Sequence, residues 1–126
     1  MRFAQRVFLI CGLYGLLLMP LMYFMERRIG ADHPPPITHP EFYYGFVGTV
    51  LAFQVAFLII AYDPRRFRPL MIPAMLEKFV FVLAIAGIYL AGRGEEVAST
   101  MPVAALIDFV MGVLFIIAWQ KTRDRD

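Results

Sequence analysis

The chain has 126 residues, 60% of them hydrophobic and 17% charged, against roughly 45–50% apolar in soluble domains. That composition excludes a soluble globular domain, and 12 Phe with 6 Tyr exclude a disordered chain, which is poor in aromatic residues. A formal charge of +2 from 12 basic and 10 acidic side chains is too small an excess for a nucleic-acid surface, so no nucleic-acid partner is expected.

Four apolar runs follow in chain order, over residues 7–25, 42–62, 70–91 and 102–119. At 1.5 Å per residue each reaches about 28–33 Å, close to the hydrocarbon thickness of a bilayer. Unpaired backbone cannot sit in lipid and strand-like alternation is absent, so all four are predicted helices. The fold class is therefore all-α: a polytopic membrane protein with four transmembrane helices in one domain, expected as an up-down-up-down bundle because the connections are short.

The first run follows Arg2 and Arg6 and is succeeded by Glu26, Arg27 and Arg28, which reads as a retained anchor rather than a cleaved signal. The segment HPPPITHP at residues 33–40 lacks amide donors at its prolines and is expected to be a stiff polyproline spacer. Basic residues divide unevenly between the two ends. Arg2, Arg6, Arg65, Arg66, Arg68, Lys121, Arg123 and Arg125 stand on one side, and Arg27, Arg28 and Arg93 on the other. Eight against three predicts cytoplasmic N- and C-termini. Phe42, Tyr43, Tyr44, Tyr62, Tyr89 and Trp119 lie at span boundaries, where rings with polar edges form a headgroup belt.

The second span carries Gly45, Gly48, Ala52 and Ala56, a small-residue face that lets another helix approach closely. It is the expected site of the tightest helix contact, either inside the monomer or with another chain. Gly12 and Gly15 of the first span and Ala84, Gly87 and Ala91 of the third are weaker versions.

Ionisable and polar residues inside spans are costly and are functional candidates by default; here they are Tyr14, Thr49, Gln54, Glu77, Lys78 and Asp108. A third helix starting near Ile72 makes Pro73 a first-turn residue and leaves Glu77 about 6 Å below the interface. There it would pair with Arg65, Arg66 or Arg68 of the loop DPRRFRP while Lys78 snorkels to water. Asp108 falls about 9 Å deep from the opposite side, level with Thr49, which is its expected hydroxyl donor. Arg93 could reach it from the end of the third span, and Lys78 only if the helices tilt. Gln54 is level with Tyr14. This polar set reads either as interhelical glue or as a polar pocket or proton-linked path.

In the loops, Asp32, His33, His39, Glu41, Glu95 and Glu96 are suitable ligand types for zinc or copper, but their spacing matches no ligand motif, so no metal site is expected. The single cysteine, Cys11, has no internal partner. Catalytic spacings are missing: no HExxH, no phosphate loop, no nucleophile with a base.

The stretch HPEFYYGFVGTVLAFQVAFLIIAYDPRRFRPLMIPAMLEK, within residues 39–90, resembles a recurring pattern in small four-helix bacterial integral membrane proteins of unknown function. In size and helix number the chain is also similar to DoxX-like proteins. The resemblance covers under half the chain and rests most on the DPxRxRP loop followed by Glu77 and Lys78. It implies a bacterial inner-membrane location and a recurrent arrangement of Glu41, Arg65, Arg68, Pro69, Glu77 and Lys78, with no catalytic residue.

These features together predict a non-enzymatic membrane protein. It would be an accessory or structural subunit of a larger respiratory, photosynthetic or transport complex, or a homo-oligomer, with membrane lipids and other subunits or itself as partners. No cofactor is predicted. The alternatives are a small proton-coupled transporter or channel using Asp108 or Glu77, and a lipid- or quinone-binding protein with a pocket among the helices gated by Tyr14, Gln54 and Asp108.

Overall fold

The structure, a computed structural model, describes residues 1–123; Arg125 of the basic tail lies outside the described residues. Among the described residues there are five α-helices: α1 (Arg2–Met22), α2 (Glu26–Asp32), α3 (Pro40–Tyr62), α4 (Met71–Leu90) and α5 (Met101–Lys121). Four helical segments, Arg2–Met22, Pro40–Tyr62, Arg68–Leu90 and Met101–Lys121, are long and apolar enough to cross a membrane. The chain is thus an all-helical protein of membrane-spanning type.

Local chemistry sets the helix ends. Pro40 occupies the first turn of α3, where its missing N–H costs nothing. That helix stops at Asp63, held extended (φ −145°, ψ 89°) by the proline that follows. A 3-10 turn at Arg68–Leu70 leads into α4, placing Pro69 outside the α-helix and Pro73 at its third residue. The expected start near Ile72 is therefore one residue late. At the other end of α4, Gly92 takes φ +74°, and Arg93 N–H donates to the Ile88 carbonyl at 3.0 Å, a closure that needs the left-handed backbone glycine adopts freely.

The long loop after the first span is not simply a proline spacer, because residues 26–32 form α2. Two tyrosines tie this region back to α3: Tyr43 Oη donates to the Met22 carbonyl, and Tyr44 Oη donates to Glu26 Oε2 at 2.7 Å. Of the predicted boundary aromatics, Tyr43 and Tyr44 therefore clasp the hairpin, while Phe42 is 74% exposed.

Helix α1 packs most closely on α3, and α4 on α5. The two pairs join at one end, the near end, where Lys121 lies 5.1 Å from the Phe3 ring and the start of α1 therefore meets the end of α5. Phe8, Phe57 and Phe115 form its centre, with ring centroids 4.3 Å apart for Phe8–Phe115 and 5.0 Å for Phe57–Phe115. Ala4, Val7, Cys11, Ile60, Ala61, Met71, Ala74 and Ala118 complete the buried cluster. Alanines at the contacts bring the backbones close, and in lipid this packing replaces the hydrophobic drive.

The near-end loop is fastened by Arg68, whose guanidinium lies 3.5 Å from the centroid of the Trp119 ring. Its Nε and Nη2 also donate to the Trp119 carbonyl, at 3.3 and 3.1 Å. Arg65 and Arg66 are exposed. We expect Arg68→Ala to cost about 1–2 kcal/mol and Arg68→Lys to recover little of it, since an ammonium lacks the planar fork. Thermal unfolding followed by Trp119 fluorescence checks both.

Candidate functional site

Nearly equal spacing along the third and fourth spans builds the site. Arg68 touches Trp119; ten residues further along one helix stands Lys78, and eleven residues back along the other stands Asp108. The helices run antiparallel, so both residues lie about 15–17 Å from the near end. Lys78 Nζ donates to Asp108 Oδ1 at 3.3 Å. The lysine is only 5% exposed, and its ammonium also lies 5.4 Å from the Phe57 ring centroid, above the aromatic core.

Glu77 completes the cluster. Its Oε2 is 3.4 Å from Lys78 Nζ, near enough for charge attraction, yet this atom is buried and has no hydrogen-bond partner among the described residues. One ammonium thus serves two carboxylates, and the hydrogen bond goes to Asp108. A buried charge needs both pairing and hydrogen bonds to offset its desolvation, and Glu77 has only the first.

Several expectations are corrected by this geometry. Glu77 does not pair with Arg65, Arg66 or Arg68, because the 3-10 turn at Arg68–Leu70 extends the third span at its near end and carries Glu77 to mid-span depth. Lys78 does not snorkel, since Asp108 and Glu77 hold it inside. Thr49 is exposed on α3 and is not hydrogen-bonded to Asp108; Arg93 pairs instead with Glu96, at 2.6 Å. That hydrogen bond holds the Glu96 carboxyl below its ordinary range. Gln54 and Tyr14 do not bond either: Gln54 Nε2 donates to the Val50 carbonyl of its own helix at 2.9 Å, and Tyr14 is 45% exposed. Nor do Glu41, Arg68 and the Glu77–Lys78 pair form one arrangement. Glu41 lies beside His39, at 3.6 Å, far from both.

The tight helix contact also uses a different face. A Cβ built on Gly15 would lie 2.0 Å from Gln54 Oε1, and one on Gly12 would lie 2.9 Å from Leu58 Cδ2 and 3.2 Å from the Gln54 carbonyl. Thus α1 supplies the small residues and α3 the side chains that fill them. Over Gly45 there is nothing within 4 Å, and Gly48 meets only the Tyr23 hydroxyl, at 3.1 Å. Gly45 and Ala52 are exposed, Ala56 half-buried.

Away from the near end the two helix pairs diverge and enclose a cleft of about 1080 Å³. Its floor is Gln54, Glu77, Lys78 and Asp108, and its walls are chiefly apolar, with Tyr14, Phe42, Phe46, Phe53 and Phe81 among them. Because the wall residues Phe42, Leu76, Val80 and Val103 are largely exposed, the cleft opens sideways between the helix pairs. This volume is slightly above the range usual for small-molecule sites, which combine apolar walls with a few placed polar groups. All six intramembrane polar residues for which the sequence offers a pocket as one reading, Tyr14, Thr49, Gln54, Glu77, Lys78 and Asp108, line this cleft; its sideways opening has no such signal in the sequence.

No protein-family model, curated protein or solved structure matches the chain.

Proposed function

We propose that this chain is an integral membrane protein that holds one small amphipathic molecule in the cleft between its helix pairs. The observation that carries this reading is the charged floor of an otherwise apolar cavity at mid-span depth. Lipid tails have no use for Lys78, Glu77 and Asp108 there, and charges kept inside a membrane mark ligand or ion sites by default. The polar head of the ligand would lie on this floor and its apolar body against the phenylalanines, entering through the side opening. The eight-to-three division of basic residues supports an up-down-up-down chain with cytoplasmic termini, and the resemblance to bacterial proteins supports the inner membrane.

Extraction of small molecules from the purified protein, followed by mass analysis, tests this reading. Wild type should retain about one amphiphile per chain, and Thr49→Trp, which fills the cleft from its exposed α3 wall, should lose it. Bulk phospholipid alone, in equal amounts from both, would overturn the proposal.

A second reading, as a subunit or self-associating protein, has its own support in the bare stretch of α3 around Gly45 and Ala52, where another helix could seat closely. Native mass spectrometry in mild detergent decides it: a monomer without companions counts against that reading.

A further inference from the structure

We infer that the molecule taken by the cleft is a lipophilic cation, an amine or quaternary ammonium on an apolar body. This rests on the cleft being a ligand site, as proposed above, and adds the charge of the ligand.

The charges lining the cleft are Glu41, Glu77 and Asp108 against the single Lys78. That lysine is already engaged, 3.3 Å from Asp108 and 3.4 Å from Glu77, so it has no free attraction to offer an anionic head. An anion seated there would face two carboxylates in a medium of low dielectric, where like charges repel strongly. A cation meets the opposite situation. The Glu77 carboxylate, which has no hydrogen bond at its buried Oε2, gains a second nearby positive charge, and the floor then holds two positive groups for two carboxylates.

The walls suit the same ligand. Phe46 and Phe81 approach across the gap between α3 and α4, with ring centroids 6.3 Å apart, and Phe42, Phe53 and Tyr14 add further ring faces. Aromatic faces attract cations most where water is excluded, the basis of quaternary-ammonium recognition. Glu41 stands at the far mouth on an exposed side chain, where it would favour the approach of positive over negative molecules.

Tetraphenylphosphonium titrated by calorimetry into the full chain in phosphatidylcholine nanodiscs is the test, with oleate and a short-tailed neutral quinone as comparison probes. The cation should bind one per chain, and Glu77→Gln should weaken it about tenfold or more, the loss of one charge attraction. Oleate should not compete. Thr49→Trp should abolish binding, an arm that serves if Glu77→Gln does not fold. Equal affinity in wild type and a folded Glu77→Gln, or no cation binding, would overturn the inference. If the quinone or oleate binds and Thr49→Trp blocks it while the cation does not bind, the charge assignment falls and the cleft stands; if no probe is sensitive to Thr49→Trp, both fall.

Discussion

Lys78→Met is expected to cost about 3–5 kcal/mol of stability, the range for taking one partner from a buried ion pair. The side chains are similar in length and both are apolar along the stem, so the change is chiefly the loss of the ammonium. Asp108 then loses its hydrogen bond at 3.3 Å, and Glu77 loses its one nearby positive charge. Two carboxylates are left at mid-span with nothing to balance them. The second change Asp108→Asn should restore much of the loss, because it removes one of those charges and keeps the shape; partners in direct contact do not behave additively. Glu77→Gln alone should cost far less than Asp108→Asn, since Glu77 Oε2 has no hydrogen bond to lose. Unfolding in graded sodium dodecyl sulfate, followed by far-ultraviolet circular dichroism, measures all four variants. A Lys78→Met protein as stable as wild type would mean that the ion cluster is not closed in the membrane.

The number and type of spanning helices were legible in the sequence because the signal is summed over about 20 residues, and no single side chain decides it. Charged residues were legible too, but not their partners. Pro73 by itself suggests a late helix start and hence a shallow Glu77; the 3-10 turn through Pro69 allows the chain to remain helical earlier, which moves Glu77 and Lys78 inward. Counting from both ends of the bundle would have paired Lys78 with Asp108, since Arg68 and Trp119 fix the register of α4 against α5. That fixing contact is an arginine stacked on an indole, a tertiary fact that spacing within one helix does not carry. A polar pocket was legible as one of two readings of the intramembrane polar residues, but the shape of the cleft was not, for a similar reason. Divergence of two helix pairs depends on which faces meet, and small residues on α1 and α3 offered two choices.

Those two choices make the second large prediction. Gly12→Leu and Gly15→Leu should each destabilise the α1–α3 pair by about 1–3 kcal/mol, the usual cost of overpacking, and the double variant should separate the helices. At Gly12 the added side chain meets backbone as well as Leu58, and backbone cannot turn aside. At Gly15 it meets the whole end of Gln54, a buried side chain 2% exposed, whose remaining escape is into the cleft. Gly45→Leu should change stability by less than about 0.5 kcal/mol, as at an uncrowded position, because the space above it is open. Cys11 supplies a direct readout, since it is buried beside Gly12. Maleimide labelling of Cys11 should be slow in wild type and Gly45→Leu and fast in the Gly12 and Gly15 variants. The opposite order, with Gly45→Leu exposing Cys11 and Gly12→Leu silent, would restore the second span's small-residue stripe as the closest contact and close the cleft that lies in front of it.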